Sequence, residues 1–167
     1  MNGFKTILPS ELKDNPFTLI GKNWMLVTAG TEDSFNTMTA SWGGVGFLWN
    51  KNVCHVYVRH SRYTKEFIER EEKLTLSFFD DSYRDALAFC GKVSGRDHDK
   101  ARECNLTPIK VGDSVAFDEA RLILSAKVLY KQDMTETCFT DKDLLNFYKD
   151  GDMHRIYTCE IEEVLVK

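Results

Sequence analysis

The chain has 167 residues, 43% of them hydrophobic and 29% charged, a composition typical of one globular domain. Its 22 Lys and Arg against 26 Asp and Glu give a net charge of −4, which argues against a nucleic-acid-binding protein, because such proteins need a basic face. Aromatic residues at 12% and only 3 Pro exclude collagen-like and disordered chains. No apolar run approaches the roughly 20 residues of a membrane-spanning helix. We expect one domain over residues 1–167 that binds neither nucleic acid nor membrane.

The cysteines indicate a reducing compartment. There are five of them, and no two form a Cys-x-x-Cys pair: Cys54, Cys90, Cys104, Cys138 and Cys159. An odd number without paired spacing predicts reduced thiols, no disulfide framework and no thiolate zinc site. The histidines are not grouped as metal ligands either, so we expect no metal. The first residues lack the charged-then-apolar plan of a signal peptide, and we expect a cytoplasmic protein.

Strand patterns dominate the first half of the chain. Residues 24–30 (WMLVTAG) are apolar and β-prone, and residues 35–42 (FNTMTASW) alternate, with a hairpin-like turn between them. Residues 53–59 (VCHVYVR) alternate with period two. Apolar residues at helical spacing follow in residues 61–72, with Ser61 at the start. Residues 73–79 (KLTLSFF) predict the next strand.

The second half continues this mixture. Ser82 begins a helix that ends at Gly91, and a short helix is predicted over residues 97–104. The remaining elements are strands over residues 115–117, 120–131 and 154–166 and a short helix from Thr140 to Tyr148. Several strand pairs lack an intervening helix, which disfavours a parallel α/β sheet. The predicted class is mainly β (α+β), an antiparallel barrel with flanking helices.

The first candidate anion site lies where the strand over residues 53–59 meets the following helix. Arg59 and Arg62 offer charged donors, Ser61 and Thr64 offer hydroxyls, and a helix N-terminus favours an anion. Alternatively, Ser61 only caps the helix and the arginines pair with the glutamates that follow. Local sequence favours this second interpretation.

The second candidate is the Thr-rich strand. Alternation puts Thr37, Thr39 and Ser41 on one face, where the hydroxyls face either an anion or water. Two Trp residues, Trp42 and Trp49, flank a glycine-rich stretch that would let backbone approach a flat ligand. Packing in a core or an interface is the alternative for both Trp side chains.

The third candidate is the turn over residues 91–100 (GKVSGRDHDK), where small residues and several cations follow the end of a helix. A solvated charged loop is the simpler interpretation of this segment. No Gly-x-Gly-x-x-Gly or Gly-x-x-x-x-Gly-Lys loop occurs, so the usual nucleotide phosphate loops are missing.

Taken together, NTMTASWGGVGFLWNK, VRHSRYTKEFI, LSFF, GKVSGRDHDKA and GDMHRIYTCEIEEV resemble, in order and spacing, the flavin reductase-like or flavoredoxin family of FMN-binding split barrels. The resemblance implies an antiparallel split β-barrel with flanking helices, a homodimer, and non-covalently bound FMN. It also implies which residues contact the cofactor: Asn36, Thr37, Met38, Thr39, Ala40, Ser41, Trp42, Arg59, Ser61, Arg62, Tyr63, Thr64, Ser94, Gly95 and Lys100. His154 matches a histidine near the flavin and is the predicted catalytic residue, although a structural role is the more common one for a strand histidine.

The resemblance predicts an FMN-dependent oxidoreductase that moves electrons from NADH or NADPH to FMN. An alternative is a flavoredoxin-like electron-transfer protein that keeps FMN bound and exchanges electrons with a protein partner. A third, non-redox alternative is a barrel that binds another planar or phosphorylated ligand, such as haem or pyridoxal phosphate. In the first two cases the cofactor carries the redox chemistry, so no catalytic triad is needed.

Overall fold

Ten β-strands and four short α-helices are present in residues 3–167, the part of the chain that the computed structural model describes. The strands are β1 (Lys5–Ile7), β2 (Met25–Thr31), β3 (Ser34–Ala40), β4 (Gly43–Leu48), β5 (Lys51–Arg59), β6 (Lys73–Phe78), β7 (Pro108–Val111), β8 (Ser114–Phe117), β9 (Leu122–Asp133) and β10 (His154–Val166). The helices are α1 (Pro16–Thr18), α2 (Thr64–Glu71), α3 (Arg84–Lys92) and α4 (Lys100–Glu103). Short 3₁₀ and π turns link several of them.

The main sheet is antiparallel throughout. Its strand order is β3-β2-β6-β9-β10-β5-β4, with β1 added beside β10, and β7 pairs with β8 in a separate hairpin. Because β3 and β4 form the two ends of this path, the barrel is split and not closed. The predicted fold class is confirmed. Among the described residues, no helix is long and apolar enough to cross a membrane.

Two apolar clusters cover the sheet, and β2 contributes to both. Met25 and Val27 pack into the first cluster, on one face of the sheet. Leu26 packs with Phe117 and Leu87 in the second cluster, on the opposite face. A strand that is buried on both faces reads as a continuous apolar run instead of an alternating one. This explains the uninterrupted apolar MLV sequence at the start of β2.

The glycine-rich stretch after Trp42 forms an edge strand, which the sequence interpretation missed. Strand β4 pairs along its length with β5. The turn that joins them consists of Trp49 and Asn50, both with positive φ (53° and 57°), the backbone that a two-residue hairpin turn requires. Trp49 packs edge-on against Tyr130 and is 55% exposed. It therefore lies on the outer surface near β9.

Helix starts differ from the predicted ones. Helix α2 begins at Thr64, and Ser61 does not cap it but binds Asp152 through both its backbone N–H (3.1 Å) and its hydroxyl (2.6 Å). The helix predicted from Thr140 is a 3₁₀ helix over Lys142–Tyr148, and its capping side chain belongs to Asp141. In the first case Tyr63 and not Ser61 precedes the first helical residue, and a carboxylate distant in sequence holds the Ser61 side chain, which would have to accept a backbone N–H of the helix to cap it.

Candidate functional site

All three predicted segments meet beside the start of helix α2, around a cleft of about 200 Å³ that we call the polar cleft. It is lined by Asn36, Met38, Ser61, Arg62, Tyr63, Thr64, Lys92, Val93, Ser94, Gly95 and Lys100. Nine of these eleven are residues that the family resemblance implied as cofactor contacts. The cleft combines three cationic side chains with hydroxyl groups and the positive end of a helix dipole, which is the donor set that an anionic group prefers.

A buried hydrogen bond joins two walls of the polar cleft. The amide Nδ2 of Asn36 on β3 donates to the Thr64 hydroxyl at 2.7 Å. Because that hydroxyl oxygen accepts from Asn36, its own proton remains free to donate to a ligand. Gly95 lies directly on Asn36, and a Cβ atom at that position would be 1.8 Å from Asn36 Oδ1. Only glycine lets the loop approach so closely.

Lys100 lies at the base of the polar cleft and is 5% exposed. Its ammonium donates to the carbonyl oxygens of Thr37 and Cys90, both at 2.9 Å. Burial lowers the pKa of Lys100 from 10.5 to about 8. An ammonium carries three protons, so one donor remains after these two bonds.

Arg62 lies between the polar cleft and a second cleft and donates from Nη1 to the carbonyl of Gly91 at 2.7 Å. Burial lowers the pKa of Arg62, and the nearby charge of Arg59 acts in the same direction. The guanidinium keeps its charge at any physiological pH, because an arginine pKa starts above 12.

The second cleft, which we call the aromatic cleft, also has a volume of about 200 Å³. Its lining consists of Met38, Thr39, Ala40, Ser41, Trp42, Tyr57, Arg59, Arg62 and His154. It shares Met38 and Arg62 with the polar cleft, so the two are adjacent. Trp42 is 43% exposed and packs against Phe147 and His154, with ring centroids 5.5 and 5.2 Å apart.

His154 is buried at the start of β10, opposite Arg59 on β5. Its Nδ1 lies 2.9 Å from the Tyr148 hydroxyl. Burial, and after it the charge of Arg59, lowers the pKa of His154 from 6.5 to about 4. The imidazole is therefore neutral at pH 7 and offers one donor and one acceptor nitrogen.

Two predicted phosphate ligands already have protein partners. Arg59 donates to the carbonyl oxygens of Asp152 and Phe147, both at 2.8 Å, and pairs with the carboxylate of Asp150. It lines the aromatic cleft and not the polar one. Ser61 lines the polar cleft, but its N–H and hydroxyl are taken by Asp152. The acidic turn that precedes β10 reaches these donors because β10 pairs with β5.

The expected stripe of hydroxyls along β3 is also occupied by protein groups. The Thr37 hydroxyl lies 2.8 Å from that of Thr28 on β2, and the Thr39 hydroxyl donates to the carbonyl of Leu87 on α3. Thr37 lines neither the polar cleft nor the aromatic cleft. It lines a third cleft, of about 470 Å³, between residues 33–37 and residues 95–101. In β3 these two threonines therefore act mainly as links to β2 and α3.

The structure adds residues that the sequence interpretation did not select. Lys92 lines the polar cleft and Tyr57 lines the aromatic cleft. Alternation along β5 places Tyr57 on the same face as Arg59, so the spacing of that strand contained the signal for Tyr57. Tyr148 and Asp152 had no such signal, because they lie in an irregular connection and act through residues on other strands.

The two clefts suit one kind of ligand, a molecule with a phosphate at one end and a planar ring at the other, as in FMN. The polar cleft supplies charged and hydroxyl donors for a phosphate, and the aromatic cleft supplies apolar and aromatic walls for a ring. The shared residues Met38 and Arg62 lie where the two parts of such a ligand would meet.

Residues 18–167 match the flavin reductase like domain, which is nearly the whole chain. The chain belongs to the flavin reductase-like family. No curated protein sequence matches this flavin reductase-like chain significantly.

Several solved structures share this fold at low sequence identity. An FMN-binding domain of a flavin reductases-like enzyme from Shewanella baltica OS155 superposes with a TM-score of 0.71 at 15% identity, over 99% of this chain and 78% of that one. Flavoredoxin of Desulfovibrio vulgaris gives 0.67 at 22% identity, over 98% and 76%. Flavoredoxin from Methanosarcina acetivorans gives 0.68 at 19% identity, over 87% and 68%.

Proposed function

We propose that this flavin reductase-like chain binds FMN and works as an NAD(P)H-dependent oxidoreductase. The observation that carries the proposal is the adjacency of the polar and aromatic clefts through Met38 and Arg62 in a chain of this family. FMN, when bound, supplies the electron-accepting and electron-donating chemistry. The protein contributes binding, orientation and the electrostatic environment.

In this proposal Arg62, Lys100 and Lys92 hold the phosphate together with the hydroxyls of Thr64 and Ser94. Each of these side chains lines the polar cleft. Several donors converge from separate segments, which suits the three oxygens of a phosphate. The binding of a dianion would also offset the repulsion between the charges of Arg62 and Lys100.

The walls of the aromatic cleft orient the ring. Met38, Ala40 and Trp42 supply apolar surface from one side of the cleft, and Tyr57 supplies it from β5. Neutral His154 adds a hydrogen-bonding group that does not change its charge near pH 7. The exposed edge of Trp42 leaves the mouth of the cleft open to an electron donor or acceptor.

The test is a titration of the flavin-free protein with FMN and with riboflavin, which lacks the phosphate. Arg62→Ala should weaken FMN binding by about 1.5–3 kcal/mol, the usual value of a hydrogen bond to a charged group. That is roughly a ten- to hundredfold loss, with a smaller effect on riboflavin. Arg102→Ala, an exposed arginine on α4, is the control. Equal FMN affinity in all three proteins would refute the phosphate assignment.

Steady-state oxidation of NADH and NADPH with added FMN then tests the reaction. Turnover with either donor supports a reductase. Slow reduction by both nucleotides, combined with fast reduction by a reduced ferredoxin in a stopped-flow instrument, would instead support the flavoredoxin-like carrier. Absence of FMN binding would refute both the reductase and the carrier.

We also propose that the chain forms a homodimer through the outer surface near β4. Large apolar side chains are exposed there, namely Phe47 (69%) on β4 and Trp49 (55%) in the turn, and Trp49 packs edge-on against the exposed Tyr130 of β9. Exposed apolar surface of this kind often marks an interface between proteins. Sedimentation equilibrium should show a dimer that Phe47→Ser weakens. Leu8→Ser, at an exposed apolar position outside the patch, should leave it unchanged. A wild-type monomer would refute this proposal.

A further inference from the structure

Tyr148 is held in one place by contacts with three different elements. It ends the 3₁₀ helix Lys142–Tyr148 in the connection between β9 and β10 and is 8% exposed. Its ring packs edge-on against Phe139 at 5.7 Å, and the guanidinium of Arg59 lies 5.3 Å from its centroid. Arg59 also binds the carbonyl of Phe147, next to Tyr148 in the chain. The hydroxyl is thereby fixed beside the Nδ1 atom of His154, at 2.9 Å.

The proton between Tyr148 and His154 has a preferred position. The hydroxyl has two acceptors within reach, His154 Nδ1 at 2.9 Å and Met134 Sδ at 3.8 Å. A thioether is a weak acceptor, whereas the unprotonated nitrogen of a neutral imidazole is a good one. The hydroxyl therefore donates to Nδ1, and the proton of the neutral ring resides on Nε2.

We propose that Tyr148 is a positioning residue that fixes His154 as the neutral Nε2–H tautomer, so that its imidazole presents a hydrogen-bond donor to the aromatic cleft. The role of that donor rests on the proposed function: its partner is an acceptor oxygen or nitrogen of the flavin ring. Tyr148 itself does not touch the flavin and acts only through His154. It does not line the aromatic cleft.

Charged groups around His154 keep this arrangement over a wide pH range. Arg59 on β5, Arg62 before α2 and neighbouring His60 oppose a positive charge on the ring, and Asp152 favours it. Burial is the largest effect and lowers the pKa of His154 to about 4. Burial likewise raises the pKa of Tyr148. Both groups are neutral between about pH 5 and 9, and the tautomer is set by the hydrogen bond and not by titration.

The first test needs no flavin. Long-range proton–nitrogen NMR correlations of the full-length flavin-free protein at pH 7 distinguish a protonated from an unprotonated ring nitrogen, and His154→Phe identifies the signals of His154. We expect a protonated Nε2 in the wild type and a mixture of tautomers, with a shifted Nδ1 signal, in Tyr148→Phe. Tyr130→Phe, which removes an exposed hydroxyl that binds Gln132, should leave the signals unchanged. A proton on Nδ1 in the wild type, or an unchanged spectrum in Tyr148→Phe, would overturn the proposal.

The second test measures whether Tyr148 acts through His154. We expect Tyr148→Phe and His154→Phe each to weaken FMN binding roughly two- to tenfold, the value of one neutral hydrogen bond. The double variant should bind FMN no more weakly than His154→Phe alone, since coupled residues are not additive. Fully additive losses would overturn the positioning role. If the wild type does not bind FMN, the proposed function fails, and the NMR result still decides the tautomer.

Discussion

Replacing Thr64 by valine removes the acceptor for a buried amide at the centre of the polar cleft. Thr64 is fully buried, and Asn36, whose Nδ2 donates to it at 2.7 Å, is 6% exposed. Valine keeps the shape of threonine, so no cavity adds to the cost. The loss is that of a buried donor without a partner, about 1–3 kcal/mol. In a domain of this size each kcal/mol lowers the melting temperature by roughly 2–4 °C.

Urea unfolding of the flavin-free protein at pH 7 measures this loss, together with thermal melting. Thr64→Ser keeps the hydroxyl and should recover most of the stability. Thr137→Val is the matched control, because the Thr137 hydroxyl is exposed and its contact with the Thr135 hydroxyl is long, at 3.4 Å. This variant should change the free energy of unfolding by less than about 0.5 kcal/mol. A Thr64→Val protein as stable as this control would show that the Asn36–Thr64 bond contributes nothing. Thr64→Val should also weaken FMN binding, since it removes a donor from the polar cleft.

Two further expectations concern pH. Burial raises the pKa of Glu69, but hydrogen bonds from Lys131, Tyr157 and Arg155 outweigh it and lower the pKa from 4.5 to about 2. This shift corresponds to roughly 3 kcal/mol of folding stability. The stabilisation is present above pH 4.5 and is lost as the pH falls through 2. Glu69→Gln should therefore lower the free energy of unfolding by up to about 3 kcal/mol at pH 7, and urea titrations should show this gap closing near pH 2; a gap independent of pH would contradict the assignment. Because burial lowers the pKa of Lys100 to about 8, its charge is lost as the pH rises through that value, and FMN should bind more weakly at pH 9 than at pH 7. Riboflavin binding should change little over the same range, and an equal loss for both flavins would exclude the phosphate as the cause.

Most strands of the sheet could be predicted from the sequence, because the pattern that identifies each strand lies within its own few residues. Alternation in β5 and the apolar run of β2 require only the pleat of a strand and the burial of its faces. The same holds for the junction between β5 and α2, where the period changes from strand to helix. Strand β4 was not predicted, because its glycines and exposed aromatic residues at the sheet edge do not show the alternation of buried and exposed positions that marks a strand.

The residues of the site and their partners could be predicted from the sequence only in part. The sequence predicted most of the residues that line the two clefts, though not Lys92 or Tyr57. These residues meet because the fold places the ends of β3 and β5 near the loop that follows α3. The sequence did not show that the donors of Ser61 belong to Asp152, 91 residues away, or that Tyr148 binds His154. Those pairings depend on the register between β5 and β10 and on the path of an irregular connection. Polar groups take whichever partner the packed chain brings within about 3 Å, and that choice is made only when the strands and the connection between β9 and β10 have packed together.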